Sequence, residues 1–208
     1  MSIAHRLAGN CTPRSEAPNI ELAKEICEWD DHEAIEELGV LLDSGRKKQR
    51  HDSLKALYEV GLRKPELVLP QLQNLFDQLE DKDNRVLWSS IYCLLTVTPL
   101  VPQKIFDALP MIMAACARAT VVGEDKTMSI LVELCSREAF HEATLETMFE
   151  TISAAATNQF PTYAERAEPC LKGPERARLA TLIRSRKDLE KFPAKHKKMS
   201  KLLETLEG

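Results

Sequence analysis

One-sided apolar segments recurring at a step of about 40 residues constrain this chain more than any other feature of its sequence. The clearest segment runs from Glu66 to Glu80 and follows Pro65, whose fixed φ suits a first helical turn. Its apolar positions Val68, Leu69, Leu72, Leu75, Phe76 and Leu79 return at three- and four-residue steps, so a helix here carries a stripe that must be buried against a neighbour. Neighbouring segments repeat the plan. Residues 83–98 carry Val86, Leu87, Ile91, Leu94 and Leu95, and residues 102–119 carry Ile105, Leu109, Ile112, Met113 and Cys116. Segments 125–138 and 140–156 follow, built on Leu131 and Leu134 and on Met148, Phe149 and Ile152. Leu54, Ile91 and Leu131 take like positions in successive first helices, while Pro70 and Pro110 take like positions in successive second helices. No alternating strand pattern runs beyond a few residues. Two helices per period, each unable to hide its apolar side alone, predict an all-α stack of helix pairs, an α-solenoid.

The stretch from Leu67 through Pro70, Leu72, Leu75, Leu79, Asp81, Asp83 and Arg85 to Val86 resembles the second helix, inter-repeat turn and next first helix of HEAT and HEAT-like armadillo repeats. The match covers about one repeat, and Leu87 stands where the family usually has a basic residue. The resemblance implies a right-handed α-α superhelix of about four to five helix pairs. Regular repeats are expected over residues 46–157 and capping helices over 160–207, all within a single domain 19–208 that follows a flexible tail, residues 1–18.

Cap signals frame the remaining helices. Asn19 is placed to cap a helix reaching Trp29, and Asp30 with Glu33 reads as an Asp form of the capping box for a helix ending near Asp43. Thr162 with Glu165 reads as a second box, and Gly173-Pro174 as the start of a helix through about Lys187. The last segment, Lys195 to Leu206, sets Met199, Leu202, Leu203 and Leu206 on one face among Lys195, Lys197, Lys198 and Lys201, as a terminal cap or a basic docking helix would.

A composition of 44% apolar and 29% charged residues excludes a disordered chain. No apolar run approaches the length of a membrane span. The stretch Met1–Pro18 lacks the apolar core of a secretory signal, so a cytoplasmic location is expected. Net charge is −4 but uneven: residues 16–43 carry −9 and residues 172–208 carry +6. The six cysteines never form C-x-x-C and read as small core residues. His32-Glu33 and His141-Glu142 begin a zinc H-E-x-x-H motif, but Glu36 and Leu145 stand where the second histidine belongs. The cluster Trp29-Asp30-Asp31-His32-Glu33 is explained by capping. Neither a phosphate-binding glycine loop nor G-x-S-x-G occurs, so no catalytic residue, cofactor or metal is assigned.

The expected function is that of a non-catalytic interaction or scaffold module, which recognises another protein or peptide on the concave face of the solenoid through the non-core stripe of the second helices. That stripe is read as Gln71, Asn74 and Gln78, then Met111, Ala114 and Arg118, then Thr147, Glu150 and Ala154. The alternative is nucleic-acid binding through the basic C-terminal region and the basic runs Arg46–Arg50 and Arg184–Lys187. Its enzymatic form is a HEAT-like DNA alkylation-repair glycosylase using Trp88 or Trp29, against which an isoelectric point near 5.8 speaks.

Overall fold

Helix boundaries in the computed structural model, which describes residues 2–10 and 15–208, follow local chemistry closely. Asp30 ends α1 (Ala17–Trp29) in the left-handed region at φ 50°, and the Asp31 carboxylate caps α2 (His32–Ser44) by accepting from the Ala34 amide at 2.9 Å. The cap is therefore one residue later than Asp30, because Asp30 closes the preceding helix. Asn19 is no cap either. It is buried within α1, where its Nδ2 donates to Asp52 Oδ1 of α3 (Lys47–Gly61) at 2.8 Å and its Oδ1 accepts from the Ala8 amide at 2.8 Å.

That last bond belongs to an N-terminal stretch expected to be a free tail. Residues 3–6 and 8–10 form 3-10 turns, Ile3 and Leu7 are buried, and the Glu37 carboxylate of α2 accepts from the Ile3 amide at 3.0 Å. Two apolar side chains and a set of satisfied amides hold a segment too short to form a helix of its own. Cys11 and Arg14 lie outside the described residues.

The second helix of the next pair is not one continuous α-helix. Residues 65–71 are 3-10, α4 is only Leu72–Asp77, and residues 78–80 return to 3-10. Pro70 lies inside this stretch, and its ring excludes the hydrogen bond and the carbonyl position that an α-helix requires. The following pair shows the same effect: after α5 (Asn84–Val97), the second helix is split at Ala108 into α6 (Pro102–Asp107) and α7 (Leu109–Cys116), with Pro110 in the first turn of α7. The chain continues through α8 (Val121–Cys135), α9 (Glu138–Ala154), α10 (Phe160–Ala167), α11 (Pro174–Ser185) and α12 (Pro193–Glu207). Thr162 lies inside α10, which Gln159 precedes without a side-chain cap.

The chain divides into two compact units, Met1–Thr127 and Met128–Gly208. In the first, α1 packs on α3 and α3 on α5, and Leu54 and Ile91 are fully buried. Gly61 permits the close approach of α3 and α5, since a Cβ there would stand 2.1 Å from Thr96 Oγ1. In the second, α10 packs on α9 and α12 on α11, and Met199, Leu202 and Leu206 of α12 are buried, so its apolar face is used inside the unit. Among the described residues no strand is present, and no helix is long and apolar enough to cross a membrane.

Candidate partner-binding surface

The second helices of the first unit, α2, residues 65–80 and α6–α7, are joined by polar seams. Asn74 Nδ2 donates to the Gly39 carbonyl of α2 at 3.2 Å, and Gln78 Nε2 to Asn74 Oδ1 at 3.1 Å. Arg50 of α3 completes the seam. Its guanidinium donates to the Leu42 carbonyl at 3.0 Å, to Gln78 Oε1 at 2.7 Å and to the Asp81 carboxylate. Burial alone would raise the Asp81 carboxyl, but Arg50 and the Asp83 amide outweigh it and hold the group below its ordinary value. Asp83, which caps α5 by accepting from the Arg85 amide at 2.9 Å, is held well below the carboxylate range against burial by Lys47 and His51, at 3.0 and 2.9 Å.

This seam accounts for much of the stripe read from sequence. Gln71 and Gln78 are buried and Asn74 is half-buried, all turned toward α2 rather than to solvent. A helix in a stack is covered on its flanks by both neighbours as well as on its apolar side, and a polar flank tolerates this when its amides pair. Arg118 is exposed, yet its guanidinium donates to the Leu79 and Asp81 carbonyls at the preceding turn. Met111 faces solvent, being 40% exposed. In the second unit Thr147 is half-buried, with its carbonyl accepting from Thr151 Oγ1 at 2.8 Å, while Glu150 is exposed on α9.

The solvent face of the three second helices of the first unit is carried by other residues: Glu33, Glu36, Val40 and Asp43 on α2, Glu66, Pro70, Gln73, Asp77 and Glu80 on the next, and Gln103, Lys104, Asp107 and Met111 on the third. Seven of these are exposed carboxylates and one is an exposed lysine. Gln73 Nε2 donates to Asp77 Oδ1 at 2.9 Å and Gln103 Nε2 to Asp107 Oδ1 at 2.8 Å, so successive helices present the same orienting pair one turn apart. Between these two helices runs a groove of about 570 Å³ whose walls include Leu69, Pro70, Phe76 and Met111, with Lys104 and Asp107 also lining it. The acidic composition of residues 16–43 was a signal for the α2 part of this face alone, and the positions facing outward were not legible without the flank packing.

The basic C-terminal region is largely paired within its own unit. Arg176 meets Glu168 at 2.6 Å, Arg178 meets Glu146 at 2.7 Å, Lys198 meets Glu165 at 2.5 Å, and Arg186 forms two 2.9 Å bonds to Asp188. Among the described residues no group of three or more His, Cys, Asp and Glu side chains is arranged to hold a metal ion.

No protein-family model matches the chain, and no curated protein matches it. Solved structures do. The crystal structure of an engineered protein superposes with a TM-score of 0.67 at 15% identity, covering 98% of this chain and 96% of that one. A designed armadillo repeat protein, solved in complex with the peptide (KR)4, superposes with a TM-score of 0.56 at 11% identity over 97% of this chain and 98% of that one. Together with the paired helices and their regular step along the chain, these likenesses establish that the chain has an armadillo/HEAT-like helical-repeat fold.

Proposed function

We propose that the protein acts by binding, and that the first unit takes an extended Lys- and Arg-containing segment of another protein along the solvent face of its second helices. The observation that carries this reading is the excess of seven exposed carboxylates over one lysine on three adjoining helices. The Gln73–Asp77 and Gln103–Asp107 bonds fix carboxylates before a ligand arrives, which lowers the ordering cost of binding. The groove beside them offers apolar walls for the aliphatic stems of Lys or Arg while the charged heads reach Asp77 and Asp107. The designed armadillo repeat protein holds a peptide of alternating Lys and Arg, and that precedent for the fold is consistent in chemistry.

Fluorescence anisotropy with a labelled (KR)4 peptide tests the reading. Binding with Kd on the order of 10 μM at low salt is expected, weakening as salt rises. Asp77→Lys combined with Asp107→Lys abolishes it, whereas Glu204→Lys on α12 leaves it unchanged. Equal affinity for wild type and the double variant would refute the proposal.

A further inference from the structure

The peptide face lies on the second helices, and a separate group of charges joins the first helices of the same unit. An unbroken chain of ion pairs runs through it. Arg63 meets Glu59 at 2.7 Å, and Glu59 meets Lys55, one turn earlier on α3, at 2.8 Å. The carboxylate of Glu16, the residue just ahead of α1, is then divided between two cations. One oxygen lies 3.3 Å from Lys55 Nζ, and the other accepts from Arg85 Nη2 of α5 at 3.0 Å.

The two ends of these bonds differ in how firmly they are held. The Lys55 side chain is only 9% exposed and its Nζ lies 4.6 Å from the centre of the Tyr58 ring, so its charge stays where it is and anions must come to it. Glu16 is 54% exposed, and an ion pair so open to water contributes little, so this carboxylate is withdrawn at small cost. Arg85 supplies an independent observation. Its Nε is buried and has no hydrogen-bond partner, although Nε and Nη2 share the planar edge on which a guanidinium holds an oxyanion through two bonds.

Stereochemistry explains the unmet donor and says what would meet it. A carboxylate has two oxygens, and with one on Nη2 and the other at Lys55 none is left for Nε. A phosphate monoester presents three on a tetrahedral centre, enough for Nε, Nη2 and Nζ together. Charge points the same way. With Glu16 withdrawn, Arg63, Lys55 and Arg85 stand against Glu59 alone, a net of +2, and a phosphate monoester carries about −1.5 to −2 at neutral pH. Asp83, two residues before Arg85, is already met by Lys47 and His51.

We infer that Lys55 and Arg85 form a binding site for a phosphate monoester, in which Glu16 is a displaceable internal occupant. A phosphorylated side chain or a small phosphate ester places its oxygens on Arg85 Nε, Arg85 Nη2 and Lys55 Nζ, and Glu16 turns out to water. None of these residues belongs to the peptide face, so the two readings stand or fall separately.

The test uses the full chain carrying Trp29→Phe, which leaves Trp88 as its one tryptophan. Trp88 lies one turn after Arg85 on α5, half-buried, with its ring centre 6.5 Å from that of Tyr58. Inorganic phosphate and a five-residue alanine peptide with a central phosphoserine are titrated at constant ionic strength, followed by Trp88 emission and by calorimetry. Saturable binding with Kd on the order of 1 mM is expected for both, and none for the peptide with unmodified serine. Affinity tenfold or more higher for the phosphopeptide marks a protein as the source of the phosphate, and equal affinity marks a small ester. Glu16→Gln binds about tenfold more tightly, because the internal competitor and its charge are gone, a gain that a purely structural ion pair does not give. Arg85→Lys keeps the charge but loses the two-donor edge, and binds about tenfold more weakly. Absence of saturable binding by Glu16→Gln in both measurements, or equal affinities of Glu16→Gln and the parent chain, overturns the proposal.

Discussion

The two units solve the same packing problem with different polar chemistry. In the first, the helices are tied through carboxylates that stay charged across the physiological range, with Arg50 on Asp81 and Lys47 and His51 on Asp83. In the second, the bond between α9 and α11 runs through His141 and Glu175 with the Cys135 thiol behind the ring. A carboxylate–guanidinium seam is indifferent to pH near neutrality, whereas an imidazole seam changes with it. The link in the second unit therefore depends on one imidazole, whereas the first unit's seam also has Arg50 and Lys47 as permanent cations.

The comparison breaks most directly with a core truncation in each unit. Ile91→Ala and Ile152→Ala each remove a fully buried side chain and are expected to lower stability by about 2–5 kcal/mol. Amide hydrogen exchange should then show protection lost mainly within the unit that carries the substitution. Equal loss throughout the chain would show that the units unfold as one.

A smaller effect sharpens the account of the first unit. Arg50→Ala takes one donor from each of the Leu42 carbonyl, Gln78 and Asp81 and should cost about 2 kcal/mol in urea denaturation.

The smallest, about 1 kcal/mol, is the pH response of the His141–Glu175 bond. His141 has a higher pKa in the fold than its unfolded value near 6.5, so its stabilisation is complete below that value and lost as pH rises through the folded one. Asp81 and Asp83 run the other way: their stabilisation is present above an unfolded value near 4 and lost as pH falls through their lowered ones. Denaturation midpoints of wild type and His141→Gln should therefore differ at pH 6 and converge at alkaline pH. A constant difference would mean that His141 stabilises by packing rather than by charge.

How far the sequence carried these features differs from residue to residue. Leu54, Ile91 and Leu131 were readable because a fully buried position in a repeated helix pair has to be apolar, and all three are fully buried. Gln71 and Gln78 were misplaced because an amide reads as solvent-facing until a neighbouring helix supplies its partners. Their exposed counterparts Gln73 and Asp77 lie on the far side of the same helix, and nothing in its apolar spacing distinguishes the two polar flanks. The His141–Glu175 bond was invisible for another reason: Cys135 and His141 are close along the chain, but Glu175 arrives from a later helix.

By itself the sequence determined the helical class, the step of the repeat and the apolar rib of each helix, because periodicity and helix-breaking prolines act within a few turns of chain. Tertiary structure alone decided which polar flank is sealed against a neighbour, which carboxylates are left to face water, and which cysteine meets a histidine. Those outcomes depend on contacts between groups distant along the chain, and the free energy of a polar group is set by the partner it finds there.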